Sequence, residues 1–374
     1  MNKFKNVLLY FPSIENGGME RNLFNMFNFI SDKRLMNVYI LTNFIEKKIK
    51  KKISKKIKII HYKSKKKILN NRYLISFVSF LYFYSVLKKK FSPKNSLIFS
   101  AQNSSISILL SKTLNYKILV RNGNHPLGSL IYSENKILSF LSFILKLFFY
   151  NFTDKVICNS KQSTNFLKNF IFPRSKVKYI GNSTLLIRNN LKIKRNNYII
   201  TAGRLSKQKN LQTLIKAFYL FSKIKKNFKL IILGEGKQKV KLQKLCHNLK
   251  ISQKVLFKNF VNNPNKFILS SKIYVCSSLY EGLPSSIIEA LNLGTPVVSS
   301  DCKSGPKEIL KNEKYGYLFP VKDYNALSKK LLYVCNNYHK AIIKTKKGQK
   351  SLKSFQVDNV SDLYMKEMNK LFFK

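Results

Sequence analysis

Short apolar runs separated by amphipathic stretches restrict this chain to an α/β fold with parallel sheets. Strands that run the same way can be joined only through a crossover of roughly a dozen residues, usually a helix. In the first half the runs are Asn6–Phe11, Val38–Thr42, Lys58–His61, Ser96–Ala101, Lys117–Val120, Lys155–Asn159 and Val177–Ile180. Between the first two, Leu23, Met26, Phe27 and Ile30 recur at three- and four-residue spacing, which is one face of a helix. The theme restarts with Tyr198–Ala202, Lys229–Leu233, Val255–Lys258, Ile273–Cys276, Pro296–Ser299 and Tyr317–Phe319. The polar, basic stretch Asn189–Asn197 between the halves reads as a linker. A length of 374 residues suits two domains of ordinary size. Two doubly wound units are expected, over 1–188 and 196–357, with a last helix (358–374, centred on Val360 to Phe373) crossing back onto the first.

Composition narrows the function. Cys158, Cys246, Cys276, Cys302 and Cys335 are scattered and form no C-x-x-C pair, which argues against a disulfide framework or zinc site and for a reducing cytoplasm. The first run is too brief for the apolar core of a leader and reads as a buried strand. The formal net charge is +54, from 70 basic and 16 acidic residues. That invites a nucleic-acid reading. Yet only eight of the basic residues are arginine, the residue on which base readout leans, so no specific nucleic acid is expected. Most of this charge reads as solvated surface, with a share left for an anionic membrane or substrate. Because acids and arginines are scarce, the few present are informative.

Two segments depart from the alternation. Tyr73–Leu87 carries no charge, and Ile137–Phe152 carries only Lys146. Both are shorter than the ~20 apolar residues of a spanning helix. They read either as core helices of the first domain or as interfacial helices that dock on lipid, Lys88–Lys90 directly following the first.

Candidate chemistry collects after strand ends, where open parallel sheets bind ligands. Asn16-Gly17-Gly18 follows the first strand and opens a helix, a turn that lets an anion approach free N–H groups. It lacks the G-x-G-x-x-G dinucleotide pattern. Gly203-Arg204 leaves another strand and Lys209 precedes a helix faced by Leu211, Leu214, Ile215 and Phe218, so fork and point charge could clamp a diphosphate. Gly234-Glu235-Gly236 is a tight turn hugging either a helix start or a ligand. The strongest constellation is Tyr280-Glu281-Gly282-Leu283-Pro284-Ser285-Ser286-Ile287-Ile288-Glu289. Pro284 suits a first helical turn, and Ser285 or Ser286 could satisfy N–H groups there. Glu281 and Glu289 could then reach opposite ends of one ligand lying across the helix start.

The Glu281-x7-Glu289 pair, with Gly203-Arg204, Lys209 and Gly17-Gly18, resembles glycosyltransferase family four, the retaining GT-B enzymes of group 1 type. Ser304-Gly305-Pro306-Lys307-Glu308-Ile309, Gly294-Thr295-Pro296 and Tyr315-Gly316-Tyr317 resemble further segments of that family. The resemblance implies two Rossmann-like domains facing across a cleft, acceptor on the first and donor on the second. It implies that Arg204 and Lys209 bind the donor diphosphate, Glu289 the ribose and Glu281 the transferred sugar. Gly17, Gly18, Gly203, Gly234, Gly282, Leu283, Pro284 and Ser285 would line the donor. His125, before Pro126, resembles the family's histidine loop, which implies a catalytic-site contact to the transferred sugar or acceptor; its plain reading is a turn residue. Ile180-Gly181-Asn182-Ser183 lacks the Asn-Pro turn common at the domain junction.

The activity so implied moves a hexose or N-acetylhexosamine from a nucleotide sugar, UDP favoured, to a saccharide or lipid-linked saccharide in cell-surface glycan synthesis (lipopolysaccharide, capsule, O-antigen). No cofactor or metal is expected. The location implied is cytoplasmic or peripheral on the inner face of the membrane. The alternatives are a sugar-nucleotide epimerase on the same fold, or a basic nucleic-acid- or membrane-binding protein without catalysis.

Overall fold

The computed structural model describes residues 5–15, 17–62, 79–102, 104–133, 135–184, 194–261 and 263–372. The chain forms two compact units, Met1–Ser183 with Phe355–Lys374, and Thr184–Ser354.

In the first unit the strands are β1 (Asn6–Tyr10), β2 (Ser13–Ile14), β3 (Asn37–Thr42), β4 (Phe44–Ile45), β5 (Lys58–His61), β6 (Ser96–Ser100), β7 (Lys117–Asn122), β8 (Lys155–Cys158) and β9 (Val177–Tyr179). Seven of them make a parallel sheet in the order β5-β3-β1-β6-β7-β8-β9, with Leu8 opposite Tyr39 and Ile98. Alternation along β1 serves two cores. Val7 and Leu9 join Phe27, Phe99 and Tyr364 on one face, while Leu8 and Tyr10 join Phe83, Ile108 and Leu147 on the other. A strand covered on both sides must be apolar throughout, which is why these runs stand out in sequence.

The second unit contributes β10 (Asn196–Ala202), β11 (Lys229–Leu233), β12 (Val255–Lys258), β13 (Ser271–Cys276), β14 (Val297–Ser300) and β15 (Tyr317–Phe319), ordered β12-β11-β10-β13-β14-β15 and parallel throughout. In both sheets the strands follow the apolar runs to within two residues at either end. The small β2-β4 pair has no counterpart among those runs.

The linker needs correction. Residues 189–193 lie outside the described residues, but Asn196 and Asn197 already belong to β10. Arg195 just before them is a clamp: its guanidinium donates to the carbonyls of Leu269, Ser271 and Leu293 and to Thr295 Oγ1, all at 2.8–3.0 Å.

The last helix, Val357–Phe372, packs through Val360, Tyr364 and Met368 into the first unit's core. Glu367 secures it there. Its carboxylate sits 2.8 Å from Lys370, 3.1 Å from Lys155 and 3.6 Å from Lys178. Burial pushes this carboxyl up, but the lysine hydrogen bonds and charges outweigh burial and hold it below the usual glutamate value. Stability from a depressed carboxyl is complete above its unfolded value and lost as pH falls through the folded one. Glu367→Gln should therefore cost about 1–3 kcal/mol at neutral pH. The penalty should shrink below about pH 4.3, read from urea midpoints of both proteins at neutral and acid pH.

Candidate active site

The second sheet has one topological switch point. From β10 the chain goes to β11 and β12 on one side and returns to β13, β14 and β15 on the other. The crevice beyond β10 and β13 is where such sheets collect ligands.

Glycine builds its floor. Gly203 N donates to Leu233 O at 3.0 Å, Leu205 N to Glu235 O at 2.8 Å and Gln238 N to Leu205 O at 3.0 Å, so the loops after β10 and β11 interlock. A Cβ on Gly234 would lie 2.0 Å from Gly203 O, and one on Gly236 2.4 Å from Leu205 O; both glycines have positive φ. What the Gly-Glu-Gly turn hugs is therefore the backbone that carries Arg204. Arg204 itself is exposed, and its guanidinium has no hydrogen-bond partner among the described residues.

Lys209 closes a 3₁₀ turn, and left-handed Asn210 then starts the helix Leu211–Ile224. Its loop is stitched to the segment after β13: Ser277 Oγ donates to Lys209 O at 2.8 Å, Gln208 Nε2 to Tyr280 O at 2.9 Å and Leu279 N to Gln208 O at 2.8 Å. The stitching brings Lys209 Nζ to 2.5 Å from Glu281 Oε1, the same oxygen that accepts from Ser278 Oγ at 2.6 Å. Glu281 is only 6% exposed. Burial pulls the Lys209 ammonium down, but the adjacent Glu281 carboxylate more than restores it, and its pKa stands above the usual lysine value. Cys276 and Cys302 nearby are raised, by burial first and then by negative neighbours, so they remain neutral thiols.

The loop after β14 supports this segment from behind. Ser300 Oγ donates to Ser278 O at 2.6 Å, and Tyr280 pairs with Lys303 in an isolated parallel bridge. Gly305, at φ 83°, lies so close that a Cβ would meet Gly282 O at 2.1 Å. Gly282, Leu283, Pro284 and Ser285 are all buried. Pro284 is the N-cap of the helix Ser285–Asn292 and so stands one position before the first helical turn assigned from sequence. Glu289 is half-buried in the second turn of that helix. Thr201, Gly203, Arg204, Lys209, Tyr274 and Ser278 bound a small pocket at the crevice.

The structure thus gathers Gly203, Arg204, Lys209, Gly234, Glu281, Glu289 and the 282–285 segment around one switch point. Gly17, Gly18 and His125 belong to the first unit. Asn16 lies outside the described residues. Gly17 caps the helix Gly18–Asp32, and Glu20 folds back so far that a Cβ on Gly17 would fall 2.2 Å from its Oε2. That helix end already faces a carboxylate. His125 is a buried N-cap: its Nδ1 accepts from Leu127 N at 3.3 Å and its ring lies against Phe166.

Sequence reasoning missed Ser278, which shares the Glu281 oxygen, and Arg121. Arg121 is 6% exposed at the end of β7 and donates to Asn182 Oδ1 at 2.7 Å. The scarcity of arginine, which flagged Arg204 at a strand end, applies equally to it.

Residues 183–350 match the family model of glycosyl transferases group 1. An uncharacterized glycosyltransferase of Methanocaldococcus jannaschii is 32% identical over 279 residues, 68% of this chain and 66% of that protein. The Campylobacter jejuni N-acetylgalactosamine-N,N'-diacetylbacillosaminyl-diphospho-undecaprenol 4-alpha-N-acetylgalactosaminyltransferase is 31% identical over 53% of this chain and 55% of its own. The chain thus spans between half and two thirds of these curated relatives. Among solved structures, S. aureus TarM, a mutant in complex with fondaparinux, alpha-GlcNAc-glycerol and UDP, superposes with a TM-score of 0.81 at 16% identity, covering 99% of this chain and 100% of that one. The shared fold is GT-B, two Rossmann-like units.

Glycine geometry separates structural from permissive positions. Gly234→Ala drives a methyl into the Gly203 carbonyl and should destabilise the chain by about 2–4 kcal/mol. Gly18→Ala meets nothing within 4 Å and should leave the unfolding free energy from urea titration within about 0.5 kcal/mol of the parent. Equal loss in both would contradict the interlock.

Proposed function

We propose a sugar-transfer reaction for this chain, which belongs to the GT-B group 1 superfamily of glycosyl transferases: transfer of a hexose or N-acetylhexosamine from a nucleotide sugar, with retention of configuration. The observation that carries the reading is that Arg204, exposed and without a hydrogen-bond partner among the described residues, shares the switch-point crevice with a half-buried Lys209 whose charge Glu281 upholds. Two cations of different shape, a fork and a point charge, suit a diphosphate. They would stabilise the charge that develops on the leaving nucleotide, and in that role they supply what a metal ion supplies elsewhere. Glu281, already oriented by Ser278, would hold a hydroxyl of the transferred sugar. Glu289 would accept from the ribose hydroxyls. The departing phosphate would take the proton of the incoming hydroxyl on the same face, so no nucleophilic carboxylate is required.

UDP is the favoured nucleotide, supported by the UDP held in the TarM structure. A lipid-linked saccharide is the favoured acceptor, supported by the diphospho-undecaprenol substrate in the name of the Campylobacter relative. Such an acceptor places the work at the cytoplasmic face of a membrane, in cell-surface glycan assembly. Gly17 and Gly18 would bring backbone N–H groups to the donor diphosphate or the acceptor, and His125 would contact the transferred sugar or acceptor.

Calorimetric titration with UDP-, GDP- and ADP-sugars tests the reading. UDP-sugars should bind, and Arg204→Ala and Lys209→Ala should each weaken binding by about tenfold to a hundredfold. Absence of heat with every nucleotide sugar would end the proposal.

The Lys209–Glu281 pair adds a pH signature. With Glu281 present, Lys209 stays charged past its ordinary 10.5, so UDP affinity should be flat from neutral pH to about 9.5. In Glu281→Gln the carboxylate that offsets burial is gone, and burial, the largest single cause, lowers a lysine. Affinity in that variant should fall as pH rises across the same range, measured by titration at half-unit steps. A flat profile in both proteins would show that Lys209 carries no ligand charge.

A further inference from the structure

The helix Lys136–Asn151 is not a core helix. Leu147 and Tyr150 are buried, but Ile137 is 76% exposed, Leu138 64%, Phe148 58% and Leu145 55%, with Phe140, Leu141 and Ile144 close behind. Phe152, at its C-cap, is exposed as well. Monomeric soluble proteins rarely show contiguous apolar patches above roughly a few hundred Å², yet eight large apolar side chains stand exposed along this one stretch.

Its neighbours share the character. The helices Phe80–Lys90, Ser104–Thr113 and Lys161–Lys168 pack beside it on the same face of the first sheet, through Phe83, Leu87, Ile108 and Leu167. Leu81 (75% exposed) and Leu109 (48%) extend the apolar surface. These four helices contain no Asp or Glu, yet they carry Lys88, Lys89, Lys90, Lys112, Lys136, Lys161 and Lys168; Lys146 instead turns inward to Asn122 Oδ1 at 2.6 Å.

We propose that this layer docks on an anionic lipid surface, with the helix Lys136–Asn151 lying in the plane of the interface. Sixteen residues reach about 24 Å, short of the ~30 Å hydrocarbon core, and no described helix is long and apolar enough to cross a membrane. An apolar face among lysines, without acids, is the pattern of a helix that lies on lipid. A second copy of the chain fits worse, because each copy brings a formal charge of +54 and the two would repel. The surface deepens the reading of a lipid-linked acceptor, but its test needs no turnover, so the two can fail separately.

The chain has no tryptophan, so one introduced indole reports alone. Phe148→Trp should shift its emission to the blue on adding phosphatidylcholine vesicles that contain phosphatidylglycerol; Ile224→Trp, exposed on the other unit, should not. In flotation the full chain should rise with those vesicles, and the double variant Leu141→Glu, Phe148→Glu should bind at least about tenfold more weakly. UDP titration of that variant should match the parent, which also verifies its fold. Three outcomes would overturn the proposal: no flotation of the parent, undiminished flotation of the double variant, or a parent dimer that the double variant abolishes while vesicle binding persists.

Discussion

Parallel strands must be buried on both faces, and the organisation of this protein stems from that requirement. Each return of the chain passes through a helix that covers one face of a sheet, so backbone polarity is satisfied inside the sheet and side-chain polarity is expelled from it. Only the carboxyl ends of the strands remain open. In the second unit the reversal of strand order between β10 and β13 opens a crevice there. The loops that reach it approach each other so closely that Gly203, Gly234, Gly282 and Gly305 meet backbone to backbone.

Within that frame the Lys209–Glu281 pair is a poor source of stability by itself. Burying two charges costs more than their attraction returns unless hydrogen bonds complete the shell. Ser278 supplies one such bond, while Arg204 stays exposed beside the pair. A diphosphate arriving at Lys209 would add the counter-charge that the crevice lacks, without any need to strip the lysine from its carboxylate. Hydrogen bonds to Leu279, Tyr280 and Ser277 already hold the loop in place, so little ordering entropy would accompany binding.

Much of this is legible in the sequence because two-sided burial writes itself as uninterrupted apolar runs. The strands of both main sheets show up that way, and the motifs after β10, β11 and β13 are located by their place at strand ends. The rest depends on neighbours that one-dimensional spacing does not reveal. Ser13–Ile14 and Phe44–Ile45 are too short to show a period. The role of Gly234 is set by Gly203, thirty-one positions earlier. His125 stays open between turn and ligand in the sequence because a His-Pro step fits both, and only the Leu127 amide shows the cap. Hydropathy marks Ile137–Phe152 as apolar but cannot say whether anything covers it. Of Tyr73–Leu87, residues 73–78 lie outside the described residues, while the remainder enters the helix Phe80–Lys90.

Charge imposes the same economy on both units. With 70 basic residues against 16 acids, an acid in this chain can draw on more than one cation. Glu367 gathers Lys155, Lys178 and Lys370 and so seats the last helix. Glu313 takes Lys330 on its carboxylate and Lys344 on its carbonyl while accepting from Leu318 N. Glu281 takes Lys209. Acids used this way act as nodes that fix elements, and little negative charge is left to spread over the surface. The helix layer around Lys136–Asn151 has none. Its lysines cannot be neutralised by carboxylates of their own helices, and in water their mutual repulsion is relieved only by counterions, whose effect weakens beyond about 8–10 Å. A dense anionic plane relieves it more completely and covers the apolar side chains at the same time. One external partner thereby resolves both the uncompensated charge and the uncovered surface.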